Sequence, residues 1–334
     1  MKTIFRVVCV LVLLPAIALA TNALVSAARP DQATNALAPA ARPDPSDMLF
    51  ASPTSLDRVG RIVVPVLIDG KGPFRFLVDT GADGSLVSAA LASTLGLVPS
   101  RMRDEQVEGT TGTEQLPCVT IGTLRIGSIV KHNIRLPVSR SPVMTGLDGI
   151  LGMAGFGAVR VVVDFRRNRV AVDRSSRGLP TSFLDIHAQR SPGGLLIIPA
   201  RVGDIPVAAV IDTGATETLG NAALRKALLR EAAANAAGTQ IYGVTRQVSN
   251  GGVALSPAIY LGPAAVLGLR VVYSDIPIFK TWHLDSQPAL IIGMNALGVV
   301  NALVLDYPHS RVYLEPIPPP GISVSIVDDD MSIP

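Results

Sequence analysis

The sequence predicts a mainly β protein made of two similar lobes with a few short helices. Two observations support this fold class. One long stretch of sequence occurs twice, and most segments in both copies are short, rich in Val and Ile, and bounded by Gly or Pro. The chain has 334 residues, of which 48% are hydrophobic, so each lobe has enough apolar material for a core.

The repeat is centred on an acidic tetrapeptide that occurs once in each half. The first copy lies in FLVDTGADGSLV and comprises Asp79, Thr80, Gly81 and Ala82; the second lies in AVIDTGATETLG and comprises Asp212, Thr213, Gly214 and Ala215. An apolar-apolar-Gly segment follows each copy, as ILG at 150–152 and IIG at 291–293. Two long copies are typical of a pseudo-symmetric pair of lobes, so we expect one carboxylate from each.

The elements around the two acidic loops also match. A hairpin leads to each loop and a short helix follows it. The predicted elements are, in the first lobe, strands at 61–68 and 74–78 with a turn at 69–72 and a helix at 88–95, and, in the second lobe, strands at 195–202 and 205–211 with a turn at 203–204 and a helix at 221–230.

The chain divides into six predicted segments, four of which flank or connect the lobes. They are a signal peptide at 1–20, an Ala/Pro-rich disordered linker at 21–57, the first lobe at 58–173, an inter-lobe connection at 174–194, the second lobe at 195–315 and a flexible tail at 316–334. A propeptide is the alternative interpretation of the linker.

The first twenty residues are typical of a secretory signal. Lys2 and Arg6 precede an apolar run that ends in the small residues Ala18 and Ala20, which fit a cleavage site. We therefore expect export to the periplasm or secretion, with an uncleaved membrane anchor as the alternative.

Composition argues against several kinds of partner and site. The formal net charge is +3, and the signal segment supplies two of these charges, so no nucleic acid is expected. A membrane is expected as a partner only through an uncleaved signal.

Cys118 is the only cysteine after residue 20, which leaves no intramolecular disulfide. The four histidines are scattered without an HExxH pattern, so we predict no metal and no cofactor.

The paired motifs resemble the aspartic peptidases, especially bacterial retropepsin-like domains. The likeness rests on DTGADGSLV followed by GILGM, and DTGATETLG followed by IIGMN, and it covers residues 61–315. Retroviral members are homodimers of one lobe, whereas pepsin-like members fuse two. This chain resembles the fused arrangement, which implies two acid protease lobes in a monomer and an aspartic-type endopeptidase acting on peptides or proteins.

Two carboxylates close together explain why such a site needs one acid from each half. They cannot both ionise at low cost, so they share a proton; one then acts as a base towards water while the other polarises the scissile carbonyl. We predict Asp79 and Asp212 as this catalytic pair, and their titration belongs to the pair.

The neighbouring loop residues are predicted to support the pair. Gly81 and Gly214 allow a close approach because they lack a Cβ. By resemblance, Thr80 and Thr213 hydrogen-bond across the lobe boundary. Relatives with Ser or Thr in place of Ala82 and Ala215 can donate a hydrogen bond to the carboxylates. Alanine cannot, which predicts a pH optimum displaced upwards from strongly acidic values.

Substrate-binding residues are predicted on the loops and on two hairpin flaps. The loop positions are Asp83, Gly84, Thr216 and Glu217, which differ between lobes and predict an asymmetric cleft. The flap candidates are 107–118, with Gly109, and 241–253, with Tyr242 and Gly243. As alternatives, Asp83 braces its loop, Glu217 faces solvent, and either flap candidate is a plain surface hairpin.

A second functional class stays open from the sequence. A catalytically silent peptide-binding or assembly module could retain both lobes, although the presence of both aspartates favours the enzyme.

Overall fold

The structure is a computed structural model that describes residues 4–7, 11–13, 24–27, 48–53, 55–56, 60–153, 159–173, 179–191, 193–228 and 237–317. Strands dominate these residues and form three sheets. Five short strands precede the first lobe: β1 (Ile4–Val7), β2 (Leu11–Leu13), β3 (Leu24–Ala27), β4 (Met48–Pro53) and β5 (Ser55–Leu56). In the described part of the chain, no helix has both the length and the apolar character needed to cross a membrane.

The first lobe is a mainly β unit with one α-helix. Its elements are β6 (Ile62–Ile68), β7 (Lys71–Asp79), β8 (Leu86–Ser88), α1 (Ala89–Thr94), β9 (Ser100–Gly109), β10 (Gly112–Ile126), β11 (Ile129–Ser139), a 3-10 helix (Pro142–Met144), β12 (Gly149–Gly152), β13 (Arg160–Asp164) and β14 (Arg169–Asp173).

Two short strands lie in the connection between the lobes, β15 (Leu184–His187) and β16 (Gln189–Arg190). The second lobe follows in a similar order to the first. Its elements are β17 (Leu196–Val202), β18 (Ile205–Ile211), β19 (Thr218–Gly220), α2 (Ala222–Leu228), β20 (Ala237–Tyr242), β21 (Val248–Leu255), β22 (Ile259–Leu261), β23 (Ala264–Leu267), β24 (Arg270–Tyr273), α3 (Pro277–Thr281), β25 (Ala289–Ile292), α4 (Met294–Leu297), β26 (Val300–Asp306) and β27 (Arg311–Pro316).

The two lobes share one strand order, which confirms the predicted duplication. Within the first sheet the strands run β9-β10-β11-β8-β12-β7-β6, between the terminal strands β1 and β5. Within the second sheet they run β20-β21-β24-β19-β25-β18-β17, with β2 at one end and β22, β23 and β3 at the other. The predicted hairpins are present as β6 with β7 and β17 with β18. In the first of these turns Asp69 and Gly70 both adopt positive φ, at 48° and 76°.

The repeated apolar-Gly segments lie directly beside the strands that end in the acidic loops. β12 pairs in parallel with β7, and β25 pairs in parallel with β18. A Cβ at Gly152 would lie 2.4 Å from the carbonyl oxygen of Gly84, and one at Gly293 would lie 2.4 Å from that of Glu217. Glycine is therefore required at both positions because the backbone of each acidic loop packs against it.

A third sheet joins the lobes, in the order β15-β27-β26-β13-β14-β4. β13 of the first lobe pairs antiparallel with β26 of the second. Arg160 and Asp306 form a buried ion pair across this junction at 2.7 Å. The main hydrophobic core runs through both lobes, so they pack as one body.

Both predicted helices are present. α1 begins after Ser88, whose side chain accepts a hydrogen bond from the Leu91 N–H at 3.0 Å. α3 and α4 were not predicted, because five and four residues are too short to carry an apolar periodicity.

Parts of the predicted linker and connection are strands. Within 21–57 the structure has β3, β4 and β5, which pair with β23, β14 and β6 respectively, and within 174–194 it has β15 and β16. Sequence did not reveal these strands because each is short and obtains its hydrogen bonds from the edge of a lobe. Of the predicted tail, only Pro316 and Ile317 lie in the described residues.

Candidate active site

The two acidic loops meet at the boundary between the lobes, so that each carboxyl group lies against the other loop. A Cβ at Gly81 would lie 2.8 Å from Cγ of Asp212, and a Cβ at Gly214 would lie 2.6 Å from Cγ of Asp79. Such distances are too short for any side chain, so glycine is needed for the carboxyl groups to approach. Asp79 and Asp212 are both fully buried.

Cross-lobe hydrogen bonds of Thr80 and Thr213 hold the loops together, as the resemblance implied. The Thr80 hydroxyl donates to the Ile211 carbonyl at 2.9 Å and accepts from the Thr213 N–H at 3.0 Å. In the mirrored arrangement, the Thr213 hydroxyl donates to the Val78 carbonyl at 2.7 Å and accepts from the Thr80 N–H at 3.3 Å. Both threonines are buried, so each bond satisfies a backbone group that water cannot reach.

Each carboxyl group is held by a backbone donor from its own loop. The Gly81 N–H donates to Oδ1 of Asp79 at 2.9 Å, and the Gly214 N–H donates to Oδ1 of Asp212 at 2.8 Å. The Oδ2 atoms are buried and accept no hydrogen bond from an N–H or hydroxyl group of the described residues, which leaves the other carboxyl group as their partner. An unpaired buried carboxylate oxygen is costly, and a proton shared between the two groups removes that cost.

The pKa values of both aspartates are raised. Burial is the largest cause of the raised pKa of Asp79, followed by the charge of Asp212, and the hydrogen bond between the two carboxyls adds to it. Burial also raises the pKa of Asp212, against the lowering effect of backbone donors and of the hydrogen bond from Asp79. The pair therefore holds one proton over a range in which isolated aspartates hold none.

The loops offer the pair no hydroxyl donor at Ala82 or Ala215. Both residues are fully buried, and their methyl groups pack in the hydrophobic core clusters.

The predicted loop positions after the motifs have unequal surroundings. In the first lobe Asp83 is half-buried, and Gly84 packs against Gly152. In the second lobe Thr216 is buried, and its carbonyl accepts a hydrogen bond from the Asn295 N–H at 3.1 Å.

Glu217, for which a plain solvent-facing position was the alternative, is half-buried and hydrogen-bonded within its own lobe. Its Oε2 accepts a hydrogen bond from the Asn295 side chain at 2.6 Å. Burial raises the pKa of Glu217 from its usual 4.5 to about 7, against the lowering effect of this bond. Asn295 also accepts hydrogen bonds from the backbone and the hydroxyl of Thr218, at 2.9 Å and 2.8 Å. Asn295 was not predicted from the sequence, although a signal was present. The second copy reads IIGMN where the first copy reads ILGMA.

Both flap candidates are hairpins, formed by β9 with β10 and by β20 with β21, and their tips touch. A Cβ at Gly109 would lie 3.0 Å from Val244, and one at Gly243 would lie 2.9 Å from the Thr111 hydroxyl. Tyr242 uses its hydroxyl within its own strand, donating to Gln240 at 2.8 Å.

The tip of the second-lobe flap is held by residues of the first lobe that sequence did not single out. Ser139 donates to the Val244 carbonyl at 2.7 Å, and Ser141 donates to the Gly243 carbonyl. Arg246 forms an ion pair with Glu114 of the other flap. These contacts close the second-lobe flap onto the first lobe.

Within the residues that the structure describes, no group of three or more His, Cys, Asp or Glu side chains could hold a metal ion. Two carboxyl groups that share one proton can act on a water molecule as an acid and a base.

The chain matches the model of a known protein family. A family model described as "Aspartyl protease" matches residues 64–154 and 198–296. No curated protein matches the chain. Because the two matched ranges fall one on each lobe and together cover more than half of the chain, the protein belongs to the aspartyl protease family.

Proposed function

We propose that the protein is an exported, single-chain aspartic endopeptidase that hydrolyses peptide bonds with water activated by Asp79 and Asp212. The observation that carries this proposal is the burial of one carboxyl group from each lobe against the glycine of the other loop. Membership of the aspartyl protease family supports peptide or protein substrates.

The proposed reaction uses the single shared proton. The ionised carboxyl takes a proton from water as the water oxygen attacks the scissile carbonyl carbon, and the protonated carboxyl donates its proton to the carbonyl oxygen. The C–N bond of the tetrahedral diol then breaks as the carboxyl that took the water proton donates it to the leaving nitrogen, while the other carboxyl takes a proton from a diol hydroxyl, which becomes the carbonyl of the new carboxylic acid. Both carboxyls return to their starting states, and no covalent intermediate forms with the enzyme because water is the nucleophile.

The pH optimum of this reaction is proposed to lie above strongly acidic values. The reaction needs one carboxyl ionised and one protonated, and both pKa values are raised by burial. Raising them moves the singly protonated window upwards. Such an optimum suits a periplasm-like compartment, which agrees with the export proposed from the N-terminal sequence.

A mixed peptide pool tests the proposal and separates it from a silent binding module. We expect the chain to cleave the pool, a pepstatin-like inhibitor to block cleavage, and Asp79→Asn to abolish it. Mass spectrometry of the products reports the cleavage sites and the side-chain preference. Peptides that bind to the unaltered protein and are never cleaved would instead support the module.

A further inference from the structure

The tip of the second-lobe flap, residues 243–247, is fastened to the first lobe. Ser139 donates a hydrogen bond to the Val244 carbonyl at 2.7 Å. Ser141 donates one to the Gly243 carbonyl. Both serines are buried, so water does not compete for these bonds, and the Val244 side chain packs in a buried apolar cluster of the first lobe. Ser139 and Ser141 therefore form a latch on this flap.

The two hydroxyl groups of the latch are themselves held by the backbone of the first lobe. Oγ of Ser139 accepts a hydrogen bond from the Ser141 N–H at 3.1 Å, and Oγ of Ser141 accepts one from the Val143 N–H at 3.4 Å. Ser141 thereby caps the 3-10 helix Pro142–Met144. Each oxygen is fixed from behind, so its proton stays directed at a carbonyl of the flap.

The duplication offers an internal comparison, and the second lobe does not repeat the latch. β11 and β24 are equivalent because each runs parallel to the short strand that precedes a helix. Matched through this register, Ser274 corresponds to Ser139 and Ile276 to Ser141. Ser274 donates to the Asn250 carbonyl of its own lobe at 2.7 Å, and isoleucine has no hydroxyl to donate. The latch therefore belongs to one flap only.

The tip of the first-lobe flap, residues 109–112, is buried less favourably. Thr110 takes the place of Val244, since each follows the equivalent glycine of its flap, Gly109 or Gly243. Thr110 is fully buried, and its hydroxyl has no hydrogen-bond partner among the described residues. A buried hydroxyl without a partner is unfavourable, and opening of this flap would let water solvate it.

The side-chain contacts between the two flaps lie mostly at the surface. Arg246 forms the ion pair with Glu114 while 79% of its side chain is exposed. Gln247, which is also exposed, donates to the Thr113 carbonyl at 3.0 Å. Exposed ion pairs add little stability because water screens them. Opening of either flap breaks these links, but opening of the second-lobe flap also breaks the latch.

We propose that Ser139 and Ser141 are positioning residues of the peptidase, which hold the second-lobe flap as a fixed wall of the cleft. Substrate then enters by movement of the first-lobe flap, which Glu114 restrains. This inference rests on the proposed function, since the wall matters only if a peptide enters the cleft. A wall that is ordered beforehand lowers the entropy cost of binding, because less of the chain must be ordered when the peptide arrives.

The first test measures the motion of each flap without turnover. Full chains with Cys9→Ser carry spin labels at Ser93→Cys on α1 and at either Val248→Cys on the second-lobe flap or Gln115→Cys on the first-lobe flap, all of which are exposed positions. Cys118 stays unlabelled, because it is buried and burial raises the pKa of its thiol to about 11. Double electron–electron resonance should give a narrow distance distribution for 93 with 248, across the lobes, and a broad one for 93 with 115, within one lobe.

Removal of the latch completes this test. Ser139→Ala with Ser141→Ala should broaden the distribution for 93 with 248. Ser274→Ala is the matched control and should leave it unchanged, because it removes the equivalent hydroxyl from the lobe without a latch. A broad distribution for the second-lobe flap of the unaltered latch, or equal widths for both flaps, would overturn the proposal even if the alanine variant misfolded. So would an alanine variant that folds and shows no broadening.

The second test follows binding of fluorescently labelled pepstatin to the full chain by stopped flow. Glu114→Ala should speed association about two- to fivefold, the range expected for loss of an exposed ion pair. The double alanine variant of the latch should instead speed dissociation at least about fivefold, because two buried hydrogen bonds that hold the wall are lost. Faster association in the latch variant alone would make the second-lobe flap the gate and overturn the proposal. Absence of both pepstatin binding and peptide cleavage, with the expected distance distributions, would refute the proposed function alone.

Discussion

Replacing Thr80 by valine tests whether the cross-lobe hydrogen bonds stabilise the fold as well as position the site. Valine has nearly the shape of threonine, but it leaves the Ile211 carbonyl and the Thr213 N–H without their partner. Each unsatisfied buried group costs about 1–3 kcal/mol, so the free energy of unfolding should fall by about 2–6 kcal/mol. Because ordinary domains are stable by only about 5–15 kcal/mol, this loss is a large part of the total.

Urea unfolding followed by fluorescence of Trp282, the only tryptophan, measures this loss. Thr80→Ser is the matched control because it keeps the hydroxyl and should lose much less stability than valine. Peptide hydrolysis should also fall in the valine variant, since a loop shift near 1 Å can cost about 100-fold in rate. A valine variant as stable and as active as the serine variant would refute this explanation.

Two further predictions concern titrating groups. Glu217→Gln should stabilise the protein above pH 7 and have little effect on its stability at pH 4.5. Folding raises the pKa of Glu217 from 4.5 to about 7, so the free energy of unfolding of the wild type falls by up to about 3 kcal/mol as the pH rises through this window. Glutamine does not titrate, so the variant avoids this loss. Thermal melts at both pH values measure the difference, and an equal effect at both would contradict the assignment. Ala82→Ser with Ala215→Ser should move the acidic limb of the pH–rate profile down by roughly one pH unit, because a hydroxyl donor favours the ionised carboxylate. An unmoved limb would show that the missing hydroxyls do not set these pKa values.

The sequence was enough to predict the fold class, the duplication and the elements that carry the acidic loops. Asp79 and Asp212 stood out because the same motif occurred twice, each copy with the same upstream hairpin and the same downstream apolar-Gly segment. The resemblance to the aspartic peptidases implied that Thr80 and Thr213 would hydrogen-bond across the lobe boundary. Local patterns and one long repeat therefore sufficed for the fold class and for the pairing of the two acidic loops.

The contacts between distant segments that break the symmetry were not accessible from the sequence. Ser139 and Ser141 are ordinary polar residues until the fold brings the second-lobe flap onto them. The short strands before the first lobe likewise have no periodicity of their own, because their hydrogen bonds come from lobe edges far away along the chain. Contacts between distant segments depend on the register of both partners, which single-segment patterns do not contain.

The central claim is that one carboxyl group from each lobe acts in a single catalytic unit. Comparing kcat/KM for Asp79→Asn, Asp212→Asn and the double variant tests it most directly. We expect each single variant to lose peptide hydrolysis and the double variant to lose no more than either single one, since a site that shares one proton fails when either member is lost. Substantial turnover by either single variant, or losses that multiply in the double variant, would contradict the claim.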